Sequence, residues 1–500
     1  MKLTELIDRT GCRAGTTPLG DPEIVGLTAD SRTVRPGFLF VALPGTRLDG
    51  RRFAGEAVAR GAVAILTDRA DALELSPECR KRVAIVTDAS PQRRLAPLAA
   101  HFHGRQPHTI AAVTGTNGKT SVVHFTREIW TAVGYPAASL GTLGLVTADE
   151  RRPGALTTPD PIALHRDLAT LAGHGIEHVA IEASSHGLHQ HRLDGLSVAA
   201  AGFTNLTRDH LDYHGDMTSY RAAKERLFTA LLAPGGPAVL NIDDEEFLHL
   251  AAVCRQCGHR LISYGTGPSA DLRLIFREPD ASSQRLVLEV FGLKHELVLP
   301  LAGEFQAMNA MAALGLAIAT GVPATVAVGS LARLTGVPGR LQFIAERDDG
   351  GAIVVDYAHT PDALATVLAA LRPHALGRLI VLFGCGGDRD AGKRPLMGKV
   401  AARLADRVYV SDDNPRTERA AEIRRAILAA VPEAVEIGDR RQAIETAIAD
   451  TGPGDFLVIA GKGHETGQII GDEIHPFDDA SVVREIVRSG SSLRVWRIRR

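Results

Sequence analysis

The sequence predicts an α/β protein of three domains, a small first one followed by two built on largely parallel sheets, and three observations carry that expectation. At 500 residues the chain is too long for one ordinary core, and about 150 residues per domain suggests about three. Short apolar runs recur along it, each followed by a polar, glycine-rich loop and then a helical pattern, as buried parallel strands in βα units are. Gly and Pro punctuate the chain at Gly336–Arg340 (GVPGR), and the run of strands restarts after Pro107. The expected divisions are 1–107, 108–338 and 339–500.

The first block carries apolar runs at Gly37–Leu43, Ala62–Leu66 and Val83–Val86, separated by Gly, Pro and Asp turns, and reads as a small α/β domain. Ser31 and the following PGTRLDG loop could offer hydroxyl and backbone donors to a ligand at a strand end; a plain turn fits equally well. The second block has buried-strand runs at Ile110–Val113, His178–Ile181, Val198–Phe203 and Ala238–Ile242, so a doubly wound sheet follows. In such sheets ligands bind at the carboxyl ends of strands, where this chain places TGTNGKT, EASSHGLHQHR and TNLTRDHLDYHG. The third block repeats the pattern at Ile353–Val355, Leu379–Phe383, Val408–Val410 and Phe456–Ile459, with DYAHTPD, GCGGDRDAGKRP, SDDNPRT and AGKGHE directly after them. The basic tail SSLRVWRIRR has no role in this reading.

Composition excludes several classes. Lys and Arg total 56 against 58 Asp and Glu, a formal net charge of -2, so no global basic field recruits nucleic acid. MKLTELIDRT contains no apolar core of a signal sequence, and the apolar stretch Ala310–Val328, broken by Gly321 and Pro323, reads as a buried helix and a turn. The expectation is a soluble, cytoplasmic monomer with no nucleic-acid or membrane partner. Five cysteines make no disulfide framework in so long a chain. Cys254 and Cys257, a C-x-x-C next to His259, could be half a zinc site or a redox pair, but no second pair completes a tetrahedral set and ordinary core or surface cysteines are the favoured reading.

The chemistry starts at Ile110–Thr120. An apolar strand runs into a glycine-rich turn ending in Lys-Thr, which aims backbone N–H groups, an ammonium and a helix N-terminus at one spot suited to a polyphosphate. Val113 stands where the usual phosphate loop has its first glycine, while Gly115, Gly118, Lys119 and Thr120 remain. Phosphoryl transfer needs a metal to bridge phosphate oxygens, so Thr120 should find an acidic partner. Glu182, closing the run HVAIE, is placed for this, though a solvated strand end or a helix cap would also explain it. His210 reads as one polar residue in a polar loop, and Lys224, at helical spacing in YRAAKERLF, as a surface lysine.

TGTNGKT, EASSHGLHQHR, NLTRDHLDYHG, YRAAKERLF, GEFQAMNAMAA, GRLQ, VDYAHTPD, GCGGDRDAGKRP, SDDNPR and AGKGHE, in this order over nearly the whole chain, closely resemble the Mur ligases. The resemblance implies a UDP-substrate-binding first domain, a central ATPase domain and a Rossmann-like third domain. Within the family the pattern is most similar to members that add meso-diaminopimelate to UDP-N-acetylmuramoyl-L-alanyl-D-glutamate in peptidoglycan synthesis, with ATP as co-substrate and Mg²⁺ as cofactor. DNPR and the first block argue against a lysine-adding ligase and a folylpolyglutamate synthase. A nucleotide-driven switch would have no need of the third block's loops.

By that resemblance Thr114, Gly115, Thr116, Asn117, Gly118, Lys119 and Thr120 hold the ATP phosphates, and Thr120 with Glu182 places one Mg²⁺. His210 and a carbamylated Lys224 would place a second, a carbamate turning the ammonium into an oxygen ligand. The implied catalytic set is thus Lys119, Glu182, His210 and Lys224. Asn309 and Arg340 match nucleotide contacts, and Asp356 and His359 match positions near the ribose. The UDP-sugar peptide is implied along Ala29, Ser31, Thr46, Arg47 and Leu48, then Thr157, Thr158, Ser184, Gln190 and Arg192. For the amino acid the resemblance points to Arg389, Asp413, Asn414, Pro415, Arg416, Gly461 and Glu465. Diaminopimelate carries a carboxylate that lysine lacks, and an arginine can grip it with two parallel hydrogen bonds, which favours Arg416.

Overall fold

The fold is taken from a computed structural model, which describes residues 1–8, 20–45, 49–280, 282–347, 350–489 and 493–496 and the backbone of 13–14. The described chain divides into two compact units, 1–262 with 319–321, and 263–318 with 322–500.

The first unit contains two sheets. The smaller runs in the order Arg13–Ala14, Ala84–Thr87, Ala64–Thr67, Phe38–Val41 and Gly26–Thr28, parallel except for its first pair. In the larger, the parallel strands Pro237–Asn241, Val198–Phe203, Thr109–Thr114, His178–Glu182 and Ala137–Gly141 lie side by side, and Gly144–Val146 and Arg151–Arg152 follow antiparallel. Continuous apolar runs form the central strands because helices cover both faces, so alternation would leave polar groups inside. Register sets the site. Glu182 pairs with Val113 and Phe203 with Thr114, which brings the loops after the three strands level with one another.

The second unit contributes an antiparallel set, Leu272–Pro279, Gln284–Val290 and Leu293–Leu299. Its larger sheet runs Val435–Glu436, Arg407–Val410, Leu379–Phe383, Phe456–Ala460, Ala352–Asp356, Gln342–Glu346 and Arg494–Val495. The first five are parallel. Each strand run expected from the sequence is a strand here. The apolar stretch Ala310–Val328 becomes most of a buried helix, Glu304–Ala319, a turn, and a second helix, Ala324–Leu331, because Gly321 and Pro323 interrupt the backbone pattern. No described helix is long and apolar enough to cross a membrane. Part of the basic tail has a structural role: Ala345 pairs with Val495, and the rings of Phe343 and Trp496 lie 5.4 Å apart. Cys254 is buried and Cys257 exposed, both as free thiols.

Two buried groups supply stability predictions. Arg440 and Asp479 form a fully buried pair at 2.7 Å, and the same guanidinium donates to Ala460 O at 3.0 Å, at the end of a central strand. Removing one partner strands the other charge, so Arg440→Met should lower the unfolding free energy by about 3–5 kcal/mol in urea titrations. His165, 1% exposed, is pushed down to about 4 from 6.5 by burial, and its Nε2 lies 3.2 Å from Asp194 O. The folded state therefore holds this imidazole neutral, while the unfolded chain takes up a proton as pH falls below 6.5. Its contribution is complete above that value and lost on the way down to about 4; at 1.36 kcal/mol per unit it amounts to about 3 kcal/mol. His165→Gln should flatten the fall in urea midpoint between neutral pH and pH about 4.5.

Candidate active site

The phosphate-loop stretch leaves the Thr109–Thr114 strand and turns at Gly115, whose φ is 143°. A Cβ there would lie 1.9 Å from Thr204 Oγ1, so the position admits only glycine. Val113, the departure from the usual pattern, is a fully buried strand residue rather than part of the loop. The loop is clamped to the next strand end: Thr116 N donates to Asn205 O at 2.8 Å, Asn117 N to Asn205 Oδ1 at 2.9 Å, and Thr204 Oγ1 to Asn117 O at 2.6 Å. The helix Lys119–Ala132 then starts, and Lys119 Nζ donates to Gly115 O and Thr116 O at 2.9 and 2.7 Å.

Glu182 ends its strand only 2% exposed. Its Oε2 accepts from Thr120 Oγ1 at 3.0 Å and Thr142 Oγ1 at 3.2 Å, and its Oε1 from Thr142 N at 2.7 Å. A buried carboxylate beside the loop threonine is a hard, all-oxygen donor set that suits Mg²⁺, an ion that takes its other ligands from phosphate and water. Among the described residues no group of three or more His, Cys, Asp or Glu that could hold a metal ion occurs.

Lys224 is not the surface lysine that its helical spacing suggests. It lies on the Met217–Arg226 helix, 2% exposed, donating from Nζ to Gly115 O at 2.7 Å, 4.3 Å from the centre of the Tyr220 ring. Burial, and next the charge of Lys119, hold its ammonium well below the usual lysine range. Tyr220 is pushed up to about 12 by burial, and its hydroxyl is 3.2 Å from Thr116 Oγ1. His210 is half exposed, with a left-handed φ of 53°, and its ring centre is 4.8 Å from that of His186. The three strand-end loops singled out in the sequence thus meet in this unit.

The implied UDP-substrate residues divide. Ala29, Gln190 and Arg192 line a cavity of about 790 Å³ together with Asp30, Arg35 and Arg166. Arg192 is held in place by Gln190 Oε1, at 3.0 and 2.6 Å, and by Thr158 O at 2.8 Å. Thr158 is buried, its hydroxyl donating to Glu182 O at 2.8 Å and lying 2.9 Å from Ser184 Oγ; Thr157 Oγ1 is 3.1 Å from Thr142 Oγ1. Those threonines and Ser184 are not among the residues that line the cavity. Ser31 donates to Glu56 Oε2 at 3.1 Å. Thr46, Arg47 and Leu48 lie outside the described residues.

In the second unit most of the remaining candidates end a strand or lie in the loop after one, Asn309 and Arg340 excepted. Asp356 is buried, which raises its pKa, and accepts from Leu341 N and Ala358 N at 2.7 Å each. The Arg340 guanidinium stacks 4.5 Å from the Tyr357 ring centre, and Lys393 Nζ donates to His359 O at 2.8 Å. Asn309, buried on the Glu304–Ala319 helix, donates to Gln306 Oε1 at 3.2 Å. Gly461 has φ 112°, and a Cβ there would come 2.6 Å from Asp413 Oδ2. Asn414 Nδ2 donates to Glu465 Oε2 at 2.9 Å, and Arg416 Nη1 to Gly387 O at 2.8 Å. Pro415 is buried beside them and Arg389 is exposed.

Sequence reasoning missed Thr142, Tyr220 and Lys462. Thr142 follows a buried strand and Lys462 stands inside AGKGHE, signals of the same kind as those used elsewhere; nothing local marks Tyr220.

A doubly wound sheet with a phosphate loop and a buried carboxylate at its strand ends defines a nucleotide-using α/β enzyme. The chain belongs to the Mur ligase family. Three models of that family match it: the Mur ligase family catalytic domain over 23–103, the Mur ligase middle domain over 113–317, and the Mur ligase glutamate ligase domain over 339–463. It is 52% identical over 467 residues to the UDP-N-acetylmuramoyl-L-alanyl-D-glutamate--2,6-diaminopimelate ligase of Caulobacter vibrioides, covering 92% of this chain and 95% of that protein. It is 51% identical over 493 residues to the ligase of the same name from Bradyrhizobium diazoefficiens, covering 98% and 99%. A solved structure of a ligase of that name is 34% identical, with a TM-score of 0.71 over 93% of this chain and 95% of the other.

Proposed function

We propose that this chain joins meso-diaminopimelate to the D-glutamyl γ-carboxylate of UDP-N-acetylmuramoyl-L-alanyl-D-glutamate, using ATP, in the synthesis of peptidoglycan precursors. The observation that carries it is the Thr120–Glu182 pair at 3.0 Å beside the phosphate loop, a hydroxyl and a carboxylate of the kind that hold Mg²⁺ in phosphoryl transfer. The named relatives supply the substrate class. We also propose the three-domain division at 107/108 and 338/339, and action in the cytoplasm as a monomer.

In this reading the γ-carboxylate attacks the γ-phosphorus of ATP and ADP leaves, giving an acyl phosphate; the free amine then attacks the acyl carbon, phosphate leaves, and the proton lost from nitrogen passes to solvent. Lys119 exchanges the loop carbonyls it donates to for phosphate oxygens and, with the loop N–H groups, offsets the repulsion between carboxylate and triphosphate. Thr120 and Glu182, and His210 with carbamylated Lys224, would hold Mg²⁺, which would neutralise charge developing on the transferred phosphoryl group. Arg192, fixed by Gln190 and Thr158 O, presents its guanidinium to the UDP-substrate cavity. Asn309, Arg340, Asp356 and His359 take the nucleotide, and Arg389, the Asp413–Arg416 run, Gly461 and Glu465 take the amino acid.

The test is ATP-dependent phosphate release with the UDP-dipeptide, comparing meso-diaminopimelate with L-lysine. Release with the first and little with the second is expected. Equal rates would overturn the specificity, and no release with either would overturn the reaction.

A further inference from the structure

Lys462 is a lysine with no exposed side-chain surface, and nothing in the reaction above uses it. Its ammonium donates to Asn414 Oδ1 at 3.1 Å, Glu465 Oε2 at 3.2 Å and Gly467 O at 2.7 Å, so all three protons are placed. Those acceptors belong to three segments: the loop after one strand, the turn after another, and the start of the Gly467–Ile470 and Glu473–Pro476 hairpin. The hairpin in turn grips the same loop. Ile469 N donates to Asn414 Oδ1 at 3.0 Å and Gln468 Nε2 to Asp413 O at 2.8 Å. Arg416 pairs with it through both backbone groups, its N donating to Ile469 O at 3.1 Å and its O accepting from Gly471 N at 2.8 Å.

From this we infer that Lys462 and the 467–476 hairpin position the amino-acid subsite, an inference that rests on the proposed diaminopimelate reading. The ammonium and Asn414 both bond Glu465 Oε2, which fixes the carboxylate's rotation; in this inference Oε1 is the oxygen that takes the incoming ligand's ammonium. The hairpin's backbone pairing fixes where the Arg416 guanidinium is launched. Lys462 touches no reacting atom. Its effect runs through Asn414, Glu465 and Arg416, so it sets affinity for the amino acid and its discrimination from lysine.

The experiment is steady-state phosphate release by the full-length enzyme, comparing wild type, Lys462→Met and Gln468→Ala, with urea midpoints for each. Gln468 is half-buried on the hairpin, so its variant keeps the test alive if loss of the buried ammonium unfolds the chain. The expected result is a KM for meso-diaminopimelate raised about tenfold or more in Lys462→Met and severalfold in Gln468→Ala, with the KM for ATP unchanged and kcat within about twofold. An unchanged amino-acid KM in a folded variant, or equal rises for ATP and amino acid, would overturn the inference. Failure of the wild type to prefer diaminopimelate over lysine would instead overturn the reading on which it rests.

Discussion

Lys224→Ala is expected to lower kcat by about 10²–10³-fold with little change in the urea midpoint, and Lys224→Arg is expected to be no better. The reason is the nitrogen's surroundings. Burial and the charge of Lys119 favour the neutral amine, whose lone pair can add to the carbon of CO₂; loss of a proton then leaves a carbamate with two ligand oxygens. A guanidinium does not do this. If the carbamate is what the site needs, a small carboxylate such as acetate should restore part of the activity of Lys224→Ala by entering the vacated space, and should do nothing for Lys224→Arg. Full activity in Lys224→Ala would remove the residue from the site. Activity lost beyond rescue, with a lowered urea midpoint, would reduce it to a packing role.

The second large effect is expected at Arg416. Arg416→Ala should raise the KM for meso-diaminopimelate by about 10²-fold while moving the KM for ATP little, because a bidentate arginine–carboxylate contact in a partly dry site is worth about 2–3 kcal/mol. The same variant should narrow the gap between diaminopimelate and lysine, since lysine lacks the carboxylate that the guanidinium would grip. An unchanged amino-acid KM would show that the guanidinium serves only Gly387 O, with which it is already paired at 2.8 Å.

How much of this was legible in the sequence depends on whether the signal was local. Central strands such as Val198–Phe203 and Leu379–Phe383 announce themselves, because burial on both faces demands an unbroken apolar run. Glu182 was legible because a carboxylate just past such a run is out of keeping. Lys224 was not: its charged sequence neighbours say surface, and a contact that no local pattern foretells, to Gly115 O 109 residues away, holds its Nζ in the interior. The Gly467–Pro476 hairpin also escaped, since Ile470 and Ile474 are exposed and its partner, the Arg416 loop, lies far away in the chain. Ser31 was named for a ligand, yet its hydroxyl already has Glu56, a contact 25 residues away that no local pattern foretells.

Arg416 has one further property, a φ of 52° in the left-handed region that most side chains avoid. An evolving enzyme that exchanged this guanidinium for another group would have to choose among residues tolerant of that backbone, such as asparagine, aspartate or glycine. Valine, isoleucine and threonine are barred by their branched Cβ. The route to a different diet of amino acids is therefore narrow at this codon, and a library randomised here should return survivors drawn mainly from that short set.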